Sequence, residues 1–244
     1  KNLYFRYAKN ADDVLRGLNL EIEEGKLHCL LGGNGSGKST TLKAICEIIK
    51  PQSGKVKIAD NCRAAMVPQN PQALFTEISC EEEVLEGLCY QKLEIEEKVQ
   101  RTEDMLKLME IEHLRKANPY DLSGGEQQRL ALAKVMVSNP DILLLDEPTK
   151  GLDPFFKQTL GRILRSLCKD NKTIFMVSHD IEFCAEFGDR CSMFFDGEIA
   201  TSGSAKEFFS GNNFYTTVEN KLTRKWCEGI ITGEEARTWI RSLL

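Results

Sequence analysis

No run in this chain comes near the roughly 20 consecutive apolar residues that a membrane-spanning helix needs, so the sequence offers no such helix. The opening KNLYFRYAKN also lacks the apolar core of a signal peptide, and the expectation is a soluble chain facing the cytosol. No basic block is present either. The 32 Lys and Arg are scattered among 37 Asp and Glu, for a net charge of -5, which argues against nucleic acid as a main partner. Nine cysteines are spread along the chain, but none forms a Cys-x-x-Cys pair; reduced structural thiols are expected rather than disulfides or a metal cluster. Internal repeats and low-complexity segments are missing, and the first residue is Lys1 rather than Met, which suggests a piece of a longer chain. What remains is 244 residues, 41% of them hydrophobic, enough for one large globular core or a core with an insertion.

The most informative stretch is GGNGSGKST, Gly32 to Thr40, where Gly32, Gly37, Lys38 and Ser39 satisfy the phosphate-loop spacing. Gly33, Gly35 and Gly37 are expected to take positive φ and to bring bare N–H groups to phosphate oxygens, with Asn34 and Ser36 between them. Lys38 would reach the β- and γ-phosphates of a nucleoside triphosphate, and Ser39 would offer its hydroxyl to Mg²⁺. The apolar run Leu27 to Gly32 reads as a buried strand before the loop, and a helix from Thr40 to about Ile49 after it would aim its positive end at the nucleotide.

Residues 2–7 and 14–22 alternate like strands of an antiparallel layer, and 53–58 and 64–69 read as further strands. The acidic stretch 81–97 and the apolar positions Met105, Leu108, Met109, Ile111 and Leu114 indicate a helical insertion, followed by a helix over about 126–138 with Leu130, Ala133, Val135 and Val137 as packing positions. Strands return at 142–146 and 173–179, separated by a helix over 155–169, and 191–203 reads as a hairpin turning at Asp196-Gly197. Unbroken apolar strands alternating with helices predict an α/β fold with a mainly parallel sheet. In the tail, Thr232 and Glu235 make a capping box ahead of Ala236, Trp239, Ile240 and Leu243. That short amphipathic helix would pack on its own core or meet a second domain.

Two further motifs carry chemistry. Asp146 and Glu147 follow four apolar residues at the carboxyl end of a strand, where Asp146 is suited to hold Mg²⁺ and Glu147 to orient or deprotonate a water. LSGGEQQR, Leu122 to Arg129, places Ser123, Gly124 and Gly125 ahead of a helix, which makes a second anion-binding end. One nucleotide leaves no obvious use for two such ends.

The set GGNGSGKST, LSGGEQQR and LLLDEP over residues 2–205 resembles the ATP-binding cassette (ABC) ATPases. The resemblance implies a P-loop NTPase core (about 1–75 and 139–205) with an N-terminal antiparallel β layer, an inserted α-helical subdomain (about 76–138) and a helical tail over 206–244. It implies two such domains dimerised head to tail, the Ser123-Gly124-Gly125 of one gripping the γ-phosphate on the other's phosphate loop, with ATP and Mg²⁺ as cofactors. Position by position, Tyr7 matches the aromatic residue that stacks on adenine, and Gln69 the glutamine that senses Mg²⁺ and the attacking water. Asp153 matches the residue facing the partner subunit, and His179 the switch histidine beside Glu147. Thr40 closes the phosphate loop, and His28 and His113 match nothing and are read as structural. With Glu147, His179, Gln69 and Lys38 all in place, an active ATPase is expected, the monomer being nearly inert.

Residues 67–84, 147–154 and 214–224 are similar to energy-coupling factor ATPases, which power the uptake of vitamins or of cobalt and nickel ions. This implies a transmembrane transporter subunit as partner at the cytoplasmic face of the membrane, and a possible place as second half of a tandem two-ATPase chain. Leu74 and Phe75 with the acidic residues at 81–83 would line a groove for that subunit's helix, or simply pack under the insertion. The alternative is a soluble ABC protein acting as an ATP-driven switch.

Overall fold

The computed structural model describes residues 1–211 and 215–243. Its centre is a six-stranded sheet in the order β4-β5-β6-β3-β7-β8, formed by β3 (Leu27–Gly32), β4 (Ala64–Val67), β5 (Ile142–Asp146), β6 (Thr173–Val177), β7 (Arg190–Phe195) and β8 (Glu198–Ser204). Every neighbouring pair is parallel except the β7–β8 hairpin, whose turn residues Asp196 and Gly197 both sit at positive φ (48° and 84°) as a tight hairpin turn requires. A separate antiparallel pair, β1 (Leu3–Phe5) and β2 (Leu15–Leu18), forms the N-terminal layer.

The central strands β3, β5 and β6 are largely apolar because both of their faces are covered, whereas β8 at the sheet edge is polar and mostly exposed. Leu27, Cys29, Leu31, Leu143, Leu145, Ile174 and Met176 pack on one side with Phe156, Leu160, Leu164 and Phe183 of α5 (Pro154–Lys169) and α6 (Ile181–Phe187). On the other side, Leu30, Leu144, Phe175 and Val177 meet Leu42 and Ile45 of α1 (Lys38–Ile45) and Leu3, Phe5, Leu15 and Leu18 of the β layer. Alternation with period two inside unbroken apolar runs is what a sheet buried on both faces requires. Between β4 and β5 lie α2 (Cys80–Glu86), α3 (Ile95–Leu108) and α4 (Gly124–Met136); after β8 come α7 (Ala205–Gly211), α8 (Val218–Thr223) and α9 (Gly233–Ser242).

The structure corrects several expectations. Residues 53–58 form no strand: Ser53 bridges Tyr4 alone, and Gly54 (φ 90°) and Asn2 (φ 58°) turn both chains out of a regular ladder. Helix α1 ends at Ile45 rather than Ile49, since Glu47 at φ 58° lies outside any right-handed helix. Leu108 is 43% exposed, while Leu106, one residue out of the expected pattern, is buried with Met109 and Ile111. Helix α9 has its capping box, Thr232 and Glu235 exchanging caps; none of its residues is fully buried, and Ala236 and Trp239 are half-buried while Ile240 and Leu243 are exposed. Phe214, the first residue of the expected 214–224 match, lies outside the described residues.

Candidate nucleotide site

β3, β5 and β6 are adjacent and parallel, so their carboxyl ends deliver Gly32, Asp146 and Val177 to one edge of the sheet, the usual place for a ligand in such folds. The phosphate loop leaves β3 and enters α1 there. Gly35 (φ 72°) and Gly37 (φ 118°) take the left-handed backbone expected of them, whereas Gly33 does not. At Gly33 nothing lies within 4 Å of where a Cβ would be, so its lack of a side chain keeps space open rather than permitting a strained turn. Gly37 stands at the N-cap of α1 without any side-chain cap, which leaves the first-turn N–H groups to a ligand.

Lys38 is buried, its ammonium donating to the carbonyls of Gly32 (3.0 Å) and Gly33 (2.8 Å) and standing 3.4 Å from His179 Nε2. Burial lowers its pKa, against the pull of Glu147 and Asp146. Ser39 Oγ donates to Asp146 Oδ1 at 3.0 Å, and burial raises the pKa of that carboxyl despite Ser39 and Lys38. A hydroxyl and a buried carboxylate side by side are hard oxygen donors of the kind Mg²⁺ takes together with phosphate oxygens and water. Among the described residues there is no group of three or more His, Cys, Asp or Glu that could hold a metal ion. Ser36 Oγ is buried without a protein partner in the same loop.

Glu147 sits at φ 55°, its own N–H donating to Val177 O at 2.9 Å. This fixes the side chain beside His179, whose backbone N–H donates to Oε2 at 3.2 Å and whose Nε2 lies 3.2 Å from Oε1. Burial pushes the Glu147 pKa up, with His179 and Lys38 opposing. Gln69 lies just past β4 and shares with Asn34, Glu147 and His179 a cavity of about 570 Å³. Thr149 and Lys150, in the turn after Pro148, line it as well, together with the ion pair (2.7 Å) between Lys157 of α5 and Asp180 at the start of α6; nothing in their spacing marked the four beforehand. Tyr7 is 60% exposed, held edge-on by Phe5 (4.9 Å between ring centres), with its hydroxyl 2.9 Å from Thr40 Oγ1 on α1. That leaves one ring face free beside the phosphate loop.

Ser123, Gly124 and Gly125 form no part of that cavity. Ser123 caps α4 in a full capping box: its N–H and hydroxyl both donate to Glu126 Oε2 (2.8 and 2.6 Å), and its oxygen accepts from Glu126 N–H at 3.4 Å. Gly125 packs on the turn after Glu147, where a Cβ would come within 2.8 Å of Gly151 O. Asp153 caps α5, accepting from Phe155 and Phe156 N–H at 3.0 Å each, and receives Arg129 Nη2 at 2.6 Å. Phe75 is buried, edge-on to Tyr120 at 6.1 Å, so packing under the insertion accounts for it; Leu74 is half-buried.

Residues 15–150 match the ABC transporter family. Among similar proteins, an ABC transporter ATP-binding protein of Bacillus cereus is 42% identical over 96% of this chain, which spans only 44% of that protein's length. The energy-coupling factor transporter ATP-binding protein EcfA1 of Ligilactobacillus salivarius is 32% identical over 98% of this chain and 93% of its own. A dimeric ATP-binding cassette solved in a post-hydrolysis state with ADP and Pi is 31% identical, with a TM-score of 0.76 over 84% of this chain and 97% of that one. At 30% identity or above, these are similarities of sequence as well as of fold.

Proposed function

The chain belongs to the ABC transporter family of ATP-binding proteins, and from that premise we propose that it hydrolyses ATP in a head-to-tail pair of cassettes that energises a membrane importer of the energy-coupling factor type. The observation that carries this reading is two glycine-rich helix N-termini in one chain, α1 after Gly37 with no side-chain cap and α4 after Ser123 outside the cavity that Asn34, Gln69, Glu147 and His179 line. A partner cassette gives each end its complement: the phosphate loop of one faces Ser123 and Gly125 of the other. The dimeric relative holding ADP and Pi supports the pairing, and the similarity to EcfA1 supports the importer type, with vitamins or cobalt and nickel ions as the solute class and the cytoplasmic face of a membrane as the place of work.

In this reading Lys38 leaves the carbonyls of its own loop for the β- and γ-phosphates, Tyr7 stacks on adenine, and the N–H groups from Gly33 to Thr40 cradle the phosphate oxygens. Mg²⁺, held by Ser39 and Asp146 with Gln69 near it, supplies charge neutralisation when bound. Glu147 takes the proton of the attacking water; its raised pKa makes it a better acceptor than an exposed carboxylate. His179 orients Glu147 through its backbone N–H, and Glu147 and Lys38 both approach the same ring nitrogen, Nε2, so the three groups converge around the γ-phosphate position. Phosphoryl transfer asks mainly for positioning and charge, and this cluster supplies both.

The test is recovery of the full-length protein from detergent-solubilised membranes with identification of its companions. A polytopic membrane protein together with a small substrate-binding membrane subunit is the expected result; a soluble complex with ribosomal or DNA-associated proteins would replace the importer with an ATP-driven switch.

A further inference from the structure

Lys134 interrupts an apolar stretch of α4, LALAKVMV, and its side chain is buried. Its ammonium donates to Leu74 O at 2.7 Å and to Glu83 Oε2 at 2.5 Å, reaches Thr76 Oγ1 at 3.4 Å and pairs with Glu86 at 3.1 Å. Glu83, fully buried, turns its other oxygen to the N–H groups of Thr76 and Glu77, both at 2.5 Å. Burial disfavours the charge on Lys134, yet Glu83 and Glu86 outweigh it and raise its pKa, so Lys134 keeps its proton. Nearer the start of α4, Gln127 Oε1 accepts from Gln72 Nε2 at 3.2 Å, while its own amide donates to Pro119 O at 3.0 Å. Gly87, closing α2, packs so tightly on α4 that a Cβ would lie 2.3 Å from Lys134 O.

The segment that leaves Gln69 is therefore fastened to α4 at two points, Gln72 by Gln127 and 74–77 by Lys134 with Glu83. A buried ion pair is poor evidence for stability, because apolar residues of similar size often do as well. What it does impose is geometry: two carboxylates, one ammonium and three backbone groups satisfy each other only in one arrangement. The N-terminus of the same helix carries Ser123 and Gly125.

We propose that Lys134, paired with Glu83, is a positioning residue that makes the segment 69–77 and α4 move as one piece, so that a displacement near Gln69 or Leu74 reaches the Ser123–Gly125 end and alters hydrolysis at the partner cassette's nucleotide. The proposal rests on the head-to-tail reading above. Its signature is an effect in trans: loosening the clamp in one cassette impairs the site on the other cassette and spares its own.

Mixed dimers of the full-length protein, isolated through two different tags, test it. One cassette carries Lys134→Met with Glu83→Gln, a combination that removes both charges but keeps an acceptor for the two amides. Glu147→Gln silences one site at a time. With Glu147→Gln in the clamp-variant cassette, the remaining turnover uses the variant α4 and falls by about tenfold, within the usual range of coupling between sites. With Glu147→Gln in the other cassette, turnover runs on the variant's own phosphate loop and stays within about twofold of the parent. Equal loss in both arrangements means that the pair only holds the fold together, and no loss in the first means that α4 is positioned without it; either result overturns the proposal. Ser123→Glu combined with Glu147→Gln in one cassette serves as control. If that dimer keeps its turnover, the head-to-tail reading has failed, and this proposal with it.

Discussion

Helices α1 and α4 both start from a loop rich in glycine, but α1 leaves its first turn open and α4 closes its own. At α1 no side chain caps the helix, and Lys38 is buried beside the loop with a pKa lowered by burial, close to the position of an incoming phosphate. At α4 the box between Ser123 and Glu126 is complete, and the hydrogen bonds from Ser123 hold the Glu126 carboxyl below its ordinary pKa, so a negative charge stands where an anion would bind. The difference teaches an order of events. In the head-to-tail arrangement proposed above, the α1 end would take a nucleotide by itself, and the α4 end would meet phosphate only when another cassette presents one and Glu126 gives way.

The largest expected effect separates chemistry from binding at the open end. Glu147→Gln lowers ATP turnover by at least about 10²-fold while leaving ATP-driven dimerisation intact; steady-state turnover beside gel filtration with ATP checks both halves, and near-normal turnover removes Glu147 from the role of base. Lys38→Ala acts on binding instead, weakening ATP affinity about ten- to a hundredfold through loss of charge-assisted hydrogen bonds, read by titration with a fluorescent nucleotide. Unchanged affinity contradicts the phosphate-loop reading.

The two ends also part in acid. Beneath the open end, His28 on β3 is buried against Ser192 (2.7 Å), and burial, aided by Arg190, pushes its pKa down to about 4 from an ordinary 6.5. The folded chain refuses a proton that the unfolded chain accepts, so stability is whole above pH 6.5 and is lost progressively down to about pH 4. The loss is on the order of 2–3 kcal/mol. The capping box loses stability in the same direction but in a lower window: with Glu126 depressed from 4.5, its contribution is whole above that pH and fades only as pH falls through the lower value. Thermal melting against pH should therefore show a decline between 6.5 and 4.5 that His28→Asn flattens; an unchanged slope in that variant assigns the decline elsewhere. The smallest effect is at the closed end. Glu126→Gln removes the competing charge and lowers the ATP concentration needed to dimerise the Glu147→Gln protein by about two- to fivefold, and no change there means that the carboxylate does not guard the helix end.

Much of the open end was legible in the sequence. Short, largely apolar runs gave 27–32 and 142–146 their limits, because a strand buried on both faces admits a polar residue only with a partner, as His28 has in Ser192, and Asp146 and Glu147 mark where the second one stops. Residues 53–58 have the same look but not the partner geometry, which depends on positive φ at Asn2 as well as Gly54 and so on a segment 50 residues away. The second anion end was legible from Ser123 and its glycines. That Glu126 would seal it was also readable from the four-residue capping pattern, once the pattern is taken as competition for a ligand. Lys134 carried a signal too, a lone cation in an apolar helix, but its partners Glu83 and Leu74 come from elements brought near only by folding. The tail was the least legible: α9 has an amphipathic pattern, yet its apolar residues Ala236 and Trp239 are only half-buried and Ile240 and Leu243 are exposed.

Glu147 stands at φ 55°, a left-handed backbone that suits glycine and asparagine and is uncommon for a residue with a long side chain. A chain refined for stability alone would carry glycine at this position and fold more firmly, with the Val177 hydrogen bond unchanged and no carboxylate beside His179. Residue 147 is thus a point where durability and catalysis pull against each other, and stabilising substitutions sought without an activity screen would tend to converge on it and silence the protein.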